Sequence, residues 1–153
     1  MTRISDKSGI SDKSGIPEPS GDPSPNQHAP RAIVLFAHGA RDPEWAEPFK
    51  TMRRIISRQL PEAAVELAYL EFMQPTLADA IAQLSARGIS SVTLAPLFMA
   101  RGGHLKQDLP LLLDALQQRY PKLMLELIPA IGDVPEVLEQ IAQWVIREHT
   151  KIS

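Results

Sequence analysis

At 153 residues, 44% hydrophobic and 22% charged, the chain has the composition of a water-soluble globular protein with room for one core. A formal net charge of −2 gives no basic field to draw nucleic acid or an anionic membrane, and no apolar run approaches the ~18 residues that span a bilayer. The absence of cysteine excludes disulfides, thiolate metal sites and cysteine nucleophiles, so metal chemistry must draw on His, Asp or Glu; a cytoplasmic setting is expected.

Residues 1–30 read as a disordered extension. Ile4-Ser5-Asp6-Lys7-Ser8-Gly9 recurs at once as Ile10-Ser11-Asp12-Lys13-Ser14-Gly15, and Pro17, Pro19, Pro23, Pro25 and Pro30 follow among small polar residues. Such a stretch has too little apolar surface to offset the entropy of ordering it. It has no apolar core of a secretory signal, and Asp6, Asp12, Glu18 and Asp22 argue against an organellar transit peptide. His28 within it reads as a solvated bystander.

Residues 31–150 read as one α/β domain. Ile33-Val34-Leu35-Phe36-Ala37 is an apolar run of the kind that forms a parallel strand buried on both faces. Asp42 as N-cap and Pro43 at the first helical position then open a helix, with Trp45, Phe49, Met52, Ile55 and Ile56 on one face and an end at Pro61. A second strand over 65–70 runs into Glu71. Thr76 with Asp79 forms a capping box for a helix that carries Leu77, Ala80, Ile81 and Leu84 inward and stops at Gly88.

A third strand covers 91–97. The helix after it carries Leu105, Leu109, Leu112, Leu113 and Leu116, and Pro110 implies either a kink or a helix proper beginning near Asp108. A fourth strand spans 123–128, and Asp133-Val134-Pro135 opens a last helix whose buried stripe would be Val137, Leu138, Ile141, Ala142 and Val145. Met52, Met73, Met99 and Met124 read as core filler, and Trp45 and Trp144 as packing. Four strands, each followed by a helix, predict right-handed crossovers in a mostly parallel, three-layer sheet of flavodoxin-like order 2-1-3-4.

In such a fold ligands bind at the carboxyl edge of the sheet. The strand-to-helix turns deliver His38, Gly39 and Arg41 from the first strand, Glu71 from the second, and Arg101, Gly102, Gly103 and His104 from the third. The turns at the opposite edge, around Pro61-Glu62, Gly88 and Tyr120-Pro121-Lys122, look like plain connections. His149, in the last turn of the final helix, suits the helix dipole and reads as structural. Imidazole and carboxylate together bind divalent first-row metals, and a histidine also accepts protons near neutrality. Gly102-Gly103 before a helix exposes backbone N–H groups to an anion, while Arg41, Arg101 and Lys106 suit ligand carboxylates. Neither phosphate-binding glycine fingerprint is present, so no nucleotide is expected, and no G-x-S-x-G nucleophile elbow occurs.

Three motifs carry a resemblance: His38-Gly39-Ala40-Arg41-Asp42-Pro43; Ala68-Tyr69-Leu70-Glu71-Phe72-Met73-Gln74-Pro75-Thr76-Leu77; and Pro96-Leu97-Phe98-Met99-Ala100-Arg101-Gly102-Gly103-His104-Leu105-Lys106-Gln107-Asp108-Leu109-Pro110. In order and spacing they resemble the small sirohydrochlorin cobaltochelatases and ferrochelatases, the single-domain branch of the class II tetrapyrrole chelatases. The resemblance covers about residues 31–147. It implies a lyase that inserts Co²⁺, or Fe²⁺ or Ni²⁺, into a sirohydrochlorin-type tetrapyrrole for cobalamin, sirohaem or a nickel tetrapyrrole. It assigns His38, His104 and Glu71 to the metal-insertion site, with His38 as proton acceptor and His104 with Glu71 delivering the metal, although the two histidines could exchange roles. It also implies a homodimer enclosing the cleft that larger, two-domain chelatases form alone. The extension over 1–30 departs from the family pattern, and no histidine-rich tract is present. The alternatives are a metal or tetrapyrrole carrier of the same fold without turnover, and a phosphohistidine enzyme. Ala37 stands where the latter pattern requires arginine.

Overall fold

The structure, a computed structural model, describes residues 30–100 and 102–153, with His104 described by its backbone alone. Residues 1–29, which hold the hexapeptide repeat and His28, and Arg101 lie outside the described residues. Strands β1 (Arg31–Ala37), β2 (Ala63–Tyr69), β3 (Ser91–Pro96) and β4 (Met124–Leu127) form one sheet in the order β2-β1-β3-β4, with every pairing parallel. That is the 2-1-3-4 order predicted from the alternation of elements. β1 lies inside the sheet, and Val34, Leu35, Phe36 and Ala37 are buried on alternate faces, which is why the strand reads as continuously apolar.

One face of the sheet is closed by α2 (Leu77–Ala86) and α3 (Gly103–Arg119). Val34, Phe36 and Leu94 pack there against Ile81, Leu84, Leu109 and Leu116. Thr76 caps α2 as expected, its hydroxyl accepting the Asp79 N–H at 3.2 Å. Gly88 ends α2 at φ +80°, where the Ile89 N–H reaches back to the Leu84 carbonyl at 3.1 Å. Pro110 neither starts nor breaks its helix: α3 runs unbroken from Gly103. Pro110 is exposed, so water can serve the carbonyl it leaves without a donor, while Leu109 and Leu116 hold the inner side down.

The other face meets α1 (Glu47–Gln59), which follows a 3-10 turn (Pro43–Ala46) capped by the Asp42 side chain on the Glu44 N–H at 3.0 Å. Leu35, Leu67 and Tyr69 pack there with Trp45, Phe49, Met52 and Ile56, and the Trp45 and Phe49 rings lie 4.6 Å apart. Ile55, expected on the same stripe, lies at its margin and is exposed.

After β4 a short 3-10 turn (Ile131–Asp133) leads into α4 (Pro135–Ile152). The predicted buried stripe of α4 is not buried: Leu138, Ile141, Ala142 and Val145 are exposed, Val137 is half-buried, and Trp144 is exposed rather than packed. Met99 and Met124, expected in the core, are exposed as well. The periodicity of α4 describes an apolar helix face correctly, but among the described residues no layer of this chain covers it.

Candidate functional site

The strand order sets β2 and β3 on either side of β1, so the turns after all three meet at one edge. The turns after β1 and β2 are hydrogen-bonded together. The Leu70 N–H donates to the Ala37 carbonyl at 2.9 Å, and the Glu71 N–H to the His38 carbonyl at 3.1 Å. Gly39, at φ +88°, lies directly against the Glu71 carbonyl; a Cβ there would overlap the oxygen, so only glycine lets the two turns touch.

This contact sets His38 beside Glu71, with Nε2 and Oε1 3.9 Å apart. The separation is too long for a hydrogen bond, yet close to the ~3.4 Å between two donors sharing one small cation at ~2.1 Å each. The two side chains are 56% and 50% exposed, so the pair faces outward and is open to a ligand. Behind it, the His38 ring stands edge-on to Phe98 at 5.8 Å, and Phe98 edge-on to Phe36 at 5.4 Å. This aromatic backing fixes the imidazole from within and leaves its polar edge free.

The next residue carries strain. Phe72 has φ +65°, and the Met73 N–H bonds the Glu71 carbonyl at 2.8 Å, closing a tight three-residue turn. The exposed Phe72 ring receives the Arg41 guanidinium 4.8 Å from its centre, so Arg41 is held at the same edge. Sequence reasoning quoted Phe72 and Phe98 in its motifs but assigned them no role. Their signal was position alone, three residues past the end of β2 and two past the end of β3 on the ligand edge. Tyr69, at the end of β2, has its hydroxyl pushed up by burial, with Lys50 and Arg53 pulling it back, so the phenol stays neutral near neutrality.

From β3 the chain contributes the start of α3. Gly102 is the N-cap and makes no side-chain cap bond, and Gly103 is the first helical residue. The first N–H groups of a helix have no acceptors within it, and at the start of α3 these belong to Gly103 and the residues just after it. His104 follows in the first turn of α3, at the carboxyl edge beside β1; its side chain, like all of Arg101, lies outside the described residues. Lys106 is exposed, with its N–H donating to the Gly102 carbonyl at 3.3 Å. Among the described residues no group of three or more His, Asp or Glu side chains gathers, so the described donor set is the His38–Glu71 pair. His149 is exposed in the last turn of α4, far along the chain from this edge.

A four-stranded parallel α/β sheet in this order, with a histidine–carboxylate pair open at its carboxyl edge, has the fold of the chelatase structures. A model of the CbiX family matches residues 32–148, and the chain belongs to that family. A sirohydrochlorin cobaltochelatase from Saccharolobus islandicus (strain L.S.2.15 / Lassen #1) is 37% identical over 81 residues, which are 53% of this chain and 62% of that protein. The match therefore spans less than two thirds of that relative's length. The sirohydrochlorin cobaltochelatase of Sulfurisphaera tokodaii is 27% identical over 120 residues, covering 78% of this chain and 97% of the relative. Among solved structures, a putative cobalamin (vitamin B12) biosynthesis CbiX protein from Marinobacter aquaeolei VT8 superposes with a TM-score of 0.69 at 29% identity, over 81% of this chain and 100% of that one. The sirohydrochlorin chelatase SirB of Bacillus subtilis subspecies spizizenii, in complex with cobalt, shares the fold at a TM-score of 0.63 and 21% identity, over 74% of this chain and 49% of that one.

Proposed function

We propose that the chain is a lyase that inserts a divalent metal, Co²⁺ first and Fe²⁺ or Ni²⁺ as alternatives, into a sirohydrochlorin-type tetrapyrrole, in a cytoplasmic route to cobalamin or sirohaem. The observation that carries this reading is the His38–Glu71 pair, 3.9 Å apart and half-exposed at the carboxyl edge. Membership of the CbiX family and relatives named sirohydrochlorin cobaltochelatase support it.

Metallation exchanges two macrocycle N–H protons for one M²⁺ while the ion sheds water. His38, backed by Phe98 and open at its Nε2, accepts a proton, and the neighbouring Glu71 carboxylate steadies the imidazolium so formed. Glu71 and His104 hold the incoming metal in an incomplete shell that the macrocycle nitrogens then complete, and the two histidines can trade these duties. Arg41, Arg101, Lys106 and the Gly102-Gly103 amides receive the carboxylates at the macrocycle rim. The working unit is residues 31–150, paired as a homodimer so that two edges enclose one flat substrate.

The test is anaerobic incubation with sirohydrochlorin and Co²⁺, Fe²⁺ or Ni²⁺ in turn, following the macrocycle absorbance. Repeated turnover above the protein-free rate is expected. Stoichiometric binding without metallated product would replace the enzyme with a carrier, and no binding would remove tetrapyrroles from the reading altogether.

A further inference from the structure

Tyr69 ends β2 with its side chain in the cluster that includes Leu35, Leu67 and Phe49, and only 5% of the residue is exposed. Its hydroxyl makes no hydrogen bond to any described residue. Buried polar groups are nearly always hydrogen-bonded, so this phenol lacks a partner that the described chain does not supply. Tyr69 also lines a cavity of about 480 Å³ between α1 and the outer edge of β2. That volume is in the ordinary range for small-molecule sites.

The cavity wall is cationic. α1 contributes Lys50, Arg53 and Arg54, whose spacing sets them on one side of the helix. Two of them are tethered: Lys50 Nζ lies 3.1 Å from Glu47 Oε1, and Arg54 Nη2 donates to Thr51 Oγ1 at 3.0 Å. Arg53 makes no hydrogen bond or ion pair with a described residue. The charges of Lys50 and Arg53 act on the Tyr69 phenol, which sets its hydroxyl on their side of the cavity, while burial keeps it a neutral donor. Glu66 also lines the space, but its carboxylate is taken by Arg87 at 3.0 Å.

The strand edge adds another donor. The Leu70 N–H points inward to the Ala37 carbonyl, and the Tyr69 N–H points outward to the Pro75 carbonyl, each at 2.9 Å. By the same alternation the N–H of Leu67, which lines the cavity, points outward from this edge strand. With the Gln74 amide on the far wall, donors outnumber free acceptors around one space.

We infer that this cavity binds a small oxyanion, a carboxylate or phosphate group, held by the Tyr69 hydroxyl and the Arg53 guanidinium. The space flanks the sheet and excludes the His38–Glu71 pair. From Tyr69 the chain passes through Glu71 and Phe72 and returns to the wall at Gln74 and Pro75, so an occupant touches both ends of the loop that carries Glu71. A free anion and an acidic arm of the tetrapyrrole share this chemistry, and only the second rests on the metal-insertion reading.

Thermal unfolding is recorded in inorganic phosphate and in citrate against sodium chloride of matched ionic strength. Binding of metal-free sirohydrochlorin is titrated alongside. The native chain is compared with Tyr69→Phe, Arg53→Met and, as a control on the same helix outside the cavity lining, Arg58→Met. A ligand that binds the folded state alone raises the unfolding temperature. At least one probe is expected to bind the native chain, about tenfold more weakly to Tyr69→Phe and Arg53→Met, and equally to Arg58→Met. In chloride alone Tyr69→Phe should unfold no lower than the native chain, because it deletes an unpaired buried hydroxyl; a lower temperature would show the hydroxyl paired and contradict the site. A response to phosphate or citrate identifies a free anion, and one confined to sirohydrochlorin identifies its carboxylate arm. Native chain and variants responding alike, or none responding, overturns the site. Sirohydrochlorin bound equally by all four proteins, with no anion response, does so while leaving the metal-insertion reading intact.

Discussion

The two faces of the sheet contain the same strands and reach different ends. On the α2–α3 face, Val34, Phe36, Leu94, Ile81 and Leu84 are sealed from water. On the other face α1 covers β1 and β2, while β3 and β4 leave Met124 and Ile128 in the open. Over β3 and β4 the α2–α3 side carries Val92, Leu94, Leu125 and Leu127, whereas the α1 side carries Ser91, Thr93, Met124 and Glu126, so the open side is also the more polar one. A closed face stabilises the monomer, and an open one contributes little to it.

The largest expected effect is on the closed face. Phe36→Ala should cost about 3–5 kcal/mol in urea unfolding, because the vacated ring space lies between Leu and Ile side chains and the Phe98 ring. The equivalent truncation on the open face, Met124→Ala, should stay within about 0.5 kcal/mol in the dilute monomer. Equal costs would erase the distinction between the faces.

Gly39→Ala should cost on the order of 1–3 kcal/mol and separate the turns that hold His38 beside Glu71, read as lost unfolding free energy together with lost metallation. Thr76→Ala removes the cap of α2 and should cost about 1 kcal/mol. The smallest effect belongs to Arg87→Ala. Its 3.0 Å pair with Glu66 lies half in solvent and should contribute no more than about 0.5 kcal/mol, fading further in salt.

Much of the fold was legible because local signals agreed. The apolar run of β1, the Asp42-Pro43 helix start, the Thr76 cap and the Gly88 stop each follow from short-range sterics and hydrogen bonding, and the alternation of elements implied the strand order. Pro110 misled because the cost of a proline depends on which side of the helix loses the donor. Trp144, Val145, Met99 and Met124 misled because apolar character says that a side chain seeks cover without saying which molecule supplies it.

At the ligand edge, the pairing of His38 with Glu71 was foreseeable from topology. The Gly39 contact that enforces it, the strained turn at Phe72 and the edge-on Phe98 ring were not, since each depends on how two turns far apart in sequence touch. The position of Arg41 over Phe72 belongs with them.

The most direct measurement compares anaerobic Co²⁺ insertion into sirohydrochlorin by the native chain and by His38→Ala, with thermal unfolding of both recorded in parallel. Loss of a positioned proton acceptor should lower the rate by about 10²-fold or more. His38 is half-exposed, so unfolding should be unchanged. Equal rates for the two proteins would contradict the assignment of the carboxyl edge as the site of metal insertion.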